Sequence, residues 1–341
     1  MKKVIAFALS TAMMLGLTAC GGNGQPADGS DSSSVSSDPV TISVSVNLAK
    51  TFSIVQELYD MADRVKERTN GALEIEIFEG SVLGSDSEVY EQVMAGTTDA
   101  MLQTIAGQAS IHPEFNIEDL PFPFADRDSA YAAIDGEYGQ AITEIIEADG
   151  ELKNLGFVEM GFRSISNSVR PIVTPDDLAG VKIGTANSAL RVAVFEALGA
   201  QPTTMAWSEV FSALQQKVLD GYECPLTTMY SSSFSDVQDY CTVTGHFWTN
   251  YCFLVNAESW NSISAENQAI FQEEVDILIQ NVRESNIADD ASMVAELTAQ
   301  GMTVTEDFDR DAFVAAVQPV IEDWKDEFGD LYEIYERNSG Y

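Results

Sequence analysis

Residues 180–225 read G-V-K-I-G-T-A-N-S-A-L-R-V-A-V-F-E-A-L-G-A-Q-P-T-T-M-A-W-S-E-V-F-S-A-L-Q-Q-K-V-L-D-G-Y-E-C-P, and the pattern is strand, helix, turn, helix, strand. Residues 181–183 form a short apolar strand. Ser188 supplies an N-cap oxygen for a helix, and Gly199 ends it, because glycine accepts the left-handed conformation of a C-cap. Trp207, Val210, Phe211, Leu214 and Val218 then recur at helical spacing, and Asp220-Gly221 turns the chain into a strand starting near Tyr222. Such a unit builds half of an α/β domain. The strand ends at 184–187 and 223–225 fall where α/β sheets present ligand-contacting loops.

Outward from this stretch, strands and helices alternate. Residues 41–46 are a β-branched run. Ile54, Leu58, Met61, Ala62 and Val65 mark one face of a helix before an Asn70-Gly71 turn, and residues 73–78 form the next strand. Val89, Val93 and Met94 mark a helix ended by Gly96, followed by a strand over 100–105 whose far end carries Gln103 and Thr104. Leu120-Pro121-Phe122-Pro123-Phe124 reads as core packing on a rigid turn, leading into a helix from about Ser129. Residues 157–160 form an apolar strand leading to Gly161-Phe162-Arg163. Residues 264–300 carry one long helical pattern, including Ile270, Val275, Ile277, Leu278 and Val282, long enough to bridge two domains. The alternation predicts a mostly parallel sheet covered on both faces.

The chain has 341 residues, 45% of them hydrophobic and 10 of them Pro, enough for about two domains with a sizeable core. Lys and Arg number 17 against 54 Asp and Glu, a formal net charge of −37. A field of that sign repels phosphate backbones, which excludes nucleic acid as a partner. Lys2 and Lys3 precede an apolar stretch over 4–17, too short to span a membrane and remain there. Residues 21–38, rich in Gly, Ser and Asp, read as a flexible tether, and folding is expected to begin near Pro39.

Leu17-Thr18-Ala19-Cys20 resembles the lipobox of a bacterial lipoprotein. The resemblance implies a signal peptide over 1–20, cleavage before Cys20, and acylation of its thiol as a membrane anchor. From about Thr41 to the C-terminus the chain resembles the solute-binding proteins of TRAP (tripartite ATP-independent periplasmic) transporters. The match rests on Asn70-Gly71, Leu83-Gly84, Gly96 to Asp99, Leu120-Pro121-Phe122, Gly161-Phe162-Arg163, Thr174 to Gly180, Leu198-Gly199-Ala200, Pro202 to Glu209, Ala213-Leu214-Gln215, Asp220-Gly221, Glu223, Pro225, and Thr244 with His246. It implies an α/β, periplasmic-binding-protein-like fold: two α/β lobes with a ligand cleft, crossing strands and a long bridging helix. The expected lobes are 39–160 plus 245–286 and 161–244 plus 287–341. The implied function is capture of a small organic solute, usually a carboxylate, outside the cytoplasm, and its delivery to a membrane permease.

Two positions depart from the family pattern. Gly184 stands where relatives carry the arginine that pairs with the substrate carboxylate, and Cys224 replaces an asparagine that helps hold the same group. The remaining ligand-binding candidates are Arg163, Asn187, Trp207, Thr104, Asn47 and Tyr222, with Arg163 taking over the charge. Trp207 reads either as a core residue or as a stacking wall. Arg191 reads as a solvated helix arginine. His112 and His246 lack metal-ligand spacing, and no metal or cofactor is expected. With Cys20 acylated, Cys224, Cys241 and Cys252 remain; they read as free buried thiols, with a 241–252 bridge as the alternative. A secreted hydrolase built on Cys224 and His246, or the ligand-binding partner of a membrane sensor, are the competing functions.

Overall fold

The computed structural model describes residues 39–109 and 111–339. The expected signal segment over 1–20, the expected acylation of Cys20 and the expected tether over 21–38 lie outside the described residues. Ten strands are present among the described residues: β1 (Val40–Val46), β2 (Leu73–Phe78), β3 (Ala100–Thr104), β4 (Leu152–Asn167), β5 (Lys182–Thr185), β6 (Gln201–Thr204), β7 (Gly221–Pro225), β8 (Tyr240–Thr242), β9 (Trp248–Asn256) and β10 (Thr303–Thr305). Their order is β2-β1-β3-β9-β4-β7-β5-β6, with β8 beside β4 and β10 beside β8.

The sheet is mixed, not mostly parallel as strand–helix alternation suggested. β1 pairs in parallel with β2 and β3, and β5 with β6 and β7, as helical crossovers require. β4 and β9, however, run antiparallel to their neighbours. β4 is what joins the two halves. Its residues up to Phe162 pair with β9, and from Arg163 onward it pairs with β7 and β8. Near the changeover the register shifts at Glu159/Gly161, and Gly161 sits at φ +105°, a conformation that side chains rarely adopt. The chain returns at 243–247, between β8 in one half and β9 in the other. Two α/β lobes with crossing strands result.

The local signals explain the helices around the cleft. Ser188 Oγ accepts from Arg191 N at 3.3 Å and caps the Ala189–Ala197 helix, and Gly199 follows it at φ +84°. The second helix, Trp207–Gln215, ends earlier than its periodicity suggested. Lys217 adopts φ +58° and reverses the chain, which leaves Val218 56% exposed. β6 lies where the sequence suggested only a turn.

Three apolar cores hold these layers together. One packs β1, β9 and the Ser53–Arg68 helix against Phe271, Val275 and Leu278; another packs Leu214, Tyr222, Cys224 and Cys241 against Met293 and Leu297. Both sets of partners come from one 35-residue helix, Ala265–Ala299, roughly 50 Å long at 1.5 Å per residue. The third core, with Phe115, Leu120, Trp248, Phe195 and Phe313, runs through both halves. Each fully buried Leu or Phe contributes about 1.5–3 kcal/mol of transfer free energy. No helix among the described residues is long and apolar enough to cross a membrane.

Candidate functional site

β7 delivers Glu223 to the middle of a dry charge cluster. Its Oε1 accepts from Thr185 Oγ1 at 2.8 Å and from Arg191 Nη1 at 3.0 Å. Its Oε2 accepts from Arg163 Nε and lies 3.6 Å from His246 Nε2, while Arg163 Nη2 donates to the Glu223 carbonyl. Arg191 also donates to Asp119 Oδ1, from Nε at 2.7 Å, and its guanidinium lies 4.9 Å from the Phe247 ring centre. Burial alone would raise the Glu223 carboxyl, but Arg163 and Arg191, with help from His246, hold it well below the usual range. Arg163 keeps 10% of its side chain exposed and Arg191 only 4%. Arg163 is thus the more exposed of the two guanidiniums.

A second set of polar groups gathers at the ends of β1, β3 and β9. Asn47 Nδ2 donates to both Asp86 oxygens at 3.1 and 3.2 Å, and Tyr251 hydroxyl donates to Asn47 Oδ1 at 2.8 Å. Thr104 Oγ1 accepts from Gly107 N at 3.1 Å, and a Cβ at Gly107 would stand 3.0 Å from Asp86 Oδ2. Burial raises the Asp86 carboxyl against the pull of Asn47. The Tyr251 phenol is raised by burial and then by Asp86, and lowered by Asn47 and by Arg163.

Aromatic side chains close the space between them. Trp207 is half-buried; its ring stacks on Phe234 with centres 6.2 Å apart, and meets Tyr222 at 5.9 Å and Phe52 at 6.5 Å. Trp207 therefore belongs to a wall and to a core at once. Gly184 is fixed by close approach: a Cβ there would lie 2.4 Å from Leu219 and 2.7 Å from the Tyr222 ring. Tyr222 fills the volume that a larger residue at 184 would need. Between Phe52, Met160, Thr228 and Asn286 remains a cavity of about 20 Å³, room for about one water molecule.

The expected residues thus divide. Arg163, Thr104, Asn47, Trp207 and Tyr222 take part in these sets. Asn187 is exposed at the turn before the Ala189–Ala197 helix. Cys224 is buried in the apolar core with its thiol pushed well above the usual value. The Cys224–His246 pairing is not formed: the ring nitrogens of His246 face Thr244 and Glu223 instead. Cys241 and Cys252 are free and buried, each thiol pushed up by burial to about 12.

Arg191 is corrected outright. It is 3% exposed, not a solvated helix arginine. Sequence reasoning also missed Asp86, Asp119 and Tyr251, and took Glu223 only as a motif letter. An Asp just past Leu83-Gly84 was the one local signal for Asp86; Asp119 and Tyr251 carried none.

The fold is that of a binding protein of two α/β lobes. The family model described as bacterial extracellular solute-binding protein, family 7 (DctP), matches residues 44–327. A solute-binding protein of Verminephrobacter eiseniae is 34% identical over 292 residues, covering 85% of this chain and 86% of that protein. A TRAP periplasmic solute-binding protein from a Polaromonas species, bound to D-erythronate, superposes with a TM-score of 0.81 at 30% identity, covering 88% of this chain and 98% of the other. One from a Sulfitobacter species, with bound β-D-galacturonate, gives 0.82 at 27% identity, covering 87% and 99%. This chain belongs to the DctP family of TRAP solute-binding proteins. Family and fold are those of transport proteins that bind small organic solutes and work with a membrane permease.

Proposed function

We propose that the protein captures a small hydroxylated organic acid between its lobes and presents it to a TRAP permease. Arg163 takes the carboxylate, and the Asn47–Asp86–Thr104–Tyr251 set takes the hydroxyl groups. Trp207 and Tyr222 supply the apolar wall, and Asn187 borders the mouth. The observation that carries this reading is the presence of one partly exposed guanidinium, Arg163, together with a carboxylate, Asp86, and three neutral hydrogen-bonding side chains, Asn47, Thr104 and Tyr251. An acid alone would use the first, and a neutral sugar only the second. The relatives bound to D-erythronate and β-D-galacturonate, both polyhydroxy acids, support the choice.

The lobes proposed are 39–160 plus 245–286 and 161–244 plus 287–329. The Asp330–Asn338 helix is moved to the first lobe because it packs against the Arg127–Ile134 and Glu137–Ile146 helices. A solute enters when the lobes part and stabilises their closure by contacting both. Acylation of Cys20 tethers the mature chain to the outer face of a membrane.

A thermal-shift and calorimetry screen of sugar acids, succinate and neutral sugars tests the site. Sugar acids are expected to stabilise most. Arg163→Ala should weaken them by at least about tenfold, on the scale of a charge-assisted hydrogen bond, and Asp86→Asn by less. Neutral sugars that stabilise equally well, or binding that survives Arg163→Ala, would refute the assignment. Release of the chain from membranes by Cys20→Ala checks the anchor.

A further inference from the structure

The Ser53–Arg68 helix starts without a side-chain cap. Phe52 holds the N-cap position and offers no side-chain oxygen, and the first turn carries no acidic residue. The Phe52 carbonyl accepts from Val55 N and Gln56 N, both at 3.0 Å, which leaves the N–H of Ile54 without an acceptor among the described residues. Ile54 is only 3% exposed. A buried backbone donor seldom stays unpaired.

Ile54, with Phe52 and Ser53, forms one side of the cavity of about 20 Å³. Thr228 forms the other, from the Leu226–Ser231 helix that follows β7. It is 4% exposed, and its Oγ1 is buried without a hydrogen-bond partner among the described residues. Glu159 also lines the cavity, but its groups are engaged: the carboxylate accepts from Arg127 and Tyr131, and the carbonyl accepts from Asn286 Nδ2 at 3.2 Å. One free donor and one free hydroxyl thus share the space.

Size and charge decide what fits between them. The volume admits about one water molecule. A helix N-terminus ordinarily favours an anion, but here the Glu159 carboxylate stands beside it, and the net charge of −37 adds a field of the same sign. A neutral molecule that both accepts and donates satisfies both groups. Water does so by accepting from the Ile54 N–H and donating to Thr228 Oγ1.

Resting on the proposed closure of two lobes around the solute, we propose that this cavity binds one water molecule that bridges the lobes when they close. Ile54 belongs to the first proposed lobe and Thr228 to the second, so the bridge exists only while the two are together. When the lobes part, bulk solvent serves both groups. Closure withdraws that solvent, and the single shared water keeps the burial of both from counting against the closed state. Thr228 is thereby a positioning residue for solute binding. It acts through closure and stands outside the set assigned to the solute.

The full chain labelled with ¹⁵N-isoleucine, with Ile54→Val assigning the resonance, reads the water by its cross-peak to the Ile54 amide. In the presence of saturating D-galacturonate that peak should carry the sign of a long-lived internal water, persist in Thr228→Ser and be lost in Thr228→Val. Calorimetry should show D-galacturonate weakened about fivefold by Thr228→Val, the scale of one hydrogen bond, and by less than about twofold by Thr228→Ser. A wild-type Ile54 amide without a long-lived water overturns the proposal. So does unchanged affinity in Thr228→Val, or an equal loss in Thr228→Ser, which would be a packing effect. If neither D-galacturonate nor D-erythronate binds, the proposed function fails by itself. The water is then decided without solute: a long-lived water at Ile54 that Thr228→Val removes upholds the site, and its absence refutes it. Should Thr228→Val not fold, the wild-type cross-peak decides.

Discussion

Glu223 and Glu159 are both buried carboxylates bonded to arginine, and they behave oppositely. Two guanidiniums hold Glu223 well below the usual range. Glu159 accepts from Arg127 Nε at 2.7 Å and from the Tyr131 hydroxyl, yet burial outweighs both and its carboxyl is raised. The difference lies in what each cluster joins. Glu223 gathers β4, β7, the Ala189–Ala197 helix and, through Arg191, the Pro113–Asp119 turn, with every member buried. Glu159 stands where β4 changes partners, and its cluster runs through Arg127 to Asp290 of the long helix, whose side chain is 37% exposed. Asn286 of that helix also donates to the Glu159 carbonyl, at 3.2 Å. Between the residues serving one core and those serving the other, the long helix presents Arg283, Asn286 and Asp290. A compensated, sealed cluster fixes a site, whereas a wet, under-compensated one at a crossing can rearrange.

The largest effect expected from this contrast is at Glu223. Glu223→Gln strips the counter-charge from Arg163 and Arg191 in a dry interior and should cost roughly 3–5 kcal/mol, the scale for breaking a buried ion pair. Urea unfolding measures it. A loss below about 1 kcal/mol would mean that the cluster is not sealed.

Arg127→Met should cost less, about 1–3 kcal/mol, because Glu159 has an escape open to it. Its carboxyl is already raised, so it can take a proton while Tyr131 still bonds it. The folded state then binds that proton more tightly than the unfolded state does. Stability lost to the substitution should therefore be smaller at pH 6 than at pH 8. The same variant frees the crossing from the long helix, so solution scattering without solute should show a more open molecule. A pH-independent loss with unchanged scattering would put Glu159 in the same class as Glu223.

Much of the frame was legible because it is local. The Ser188 cap, the Gly199 stop and the long helical run over 264–300 follow from spacings within one turn, and the structure places the helix over Ala265–Ala299. The antiparallel crossing was not legible, since β4 meets β9 about a hundred residues away and periodicity does not report strand direction. Arg191 was misread for the same reason. An arginine early in a helix is ordinarily solvated, and only a fold that brings Asp119 from 72 positions upstream makes burial tolerable. The candidate site was half-readable: Arg163 stands out beside Gly161 and Phe162, while Asp86 and Tyr251 enter the proposed set only because the fold sets them beside Asn47.

The smallest effect sharpens the contrast within a single turn. Glu118 and Asp119 are adjacent, and only Asp119 has the Arg191 guanidinium bonded to it. Glu118 has the Tyr138 hydroxyl and, at 3.4 Å, Asn250 Nδ2. Burial pushes its carboxyl from 4.5 up to about 7, although both hydrogen bonds and the more distant Arg191 pull it down. The sign follows directly. Between the two values the folded state holds a proton that the unfolded state has released, so stability falls as pH rises through this window and levels off above it. Glu118→Gln keeps the volume and removes the titration. It should flatten the fall in unfolding free energy between pH 5 and pH 7 by about 1 kcal/mol, less than full linkage would give because the new amide meets Asn250 with a donor as well as an acceptor. Urea unfolding of both proteins at several pH values measures the slope. An equal slope in the two would mean that Glu118 does not titrate in the window, its hydrogen bonds from Tyr138 and Asn250 holding its charge against burial without a guanidinium; Glu223 would then need no second arginine to explain its charge.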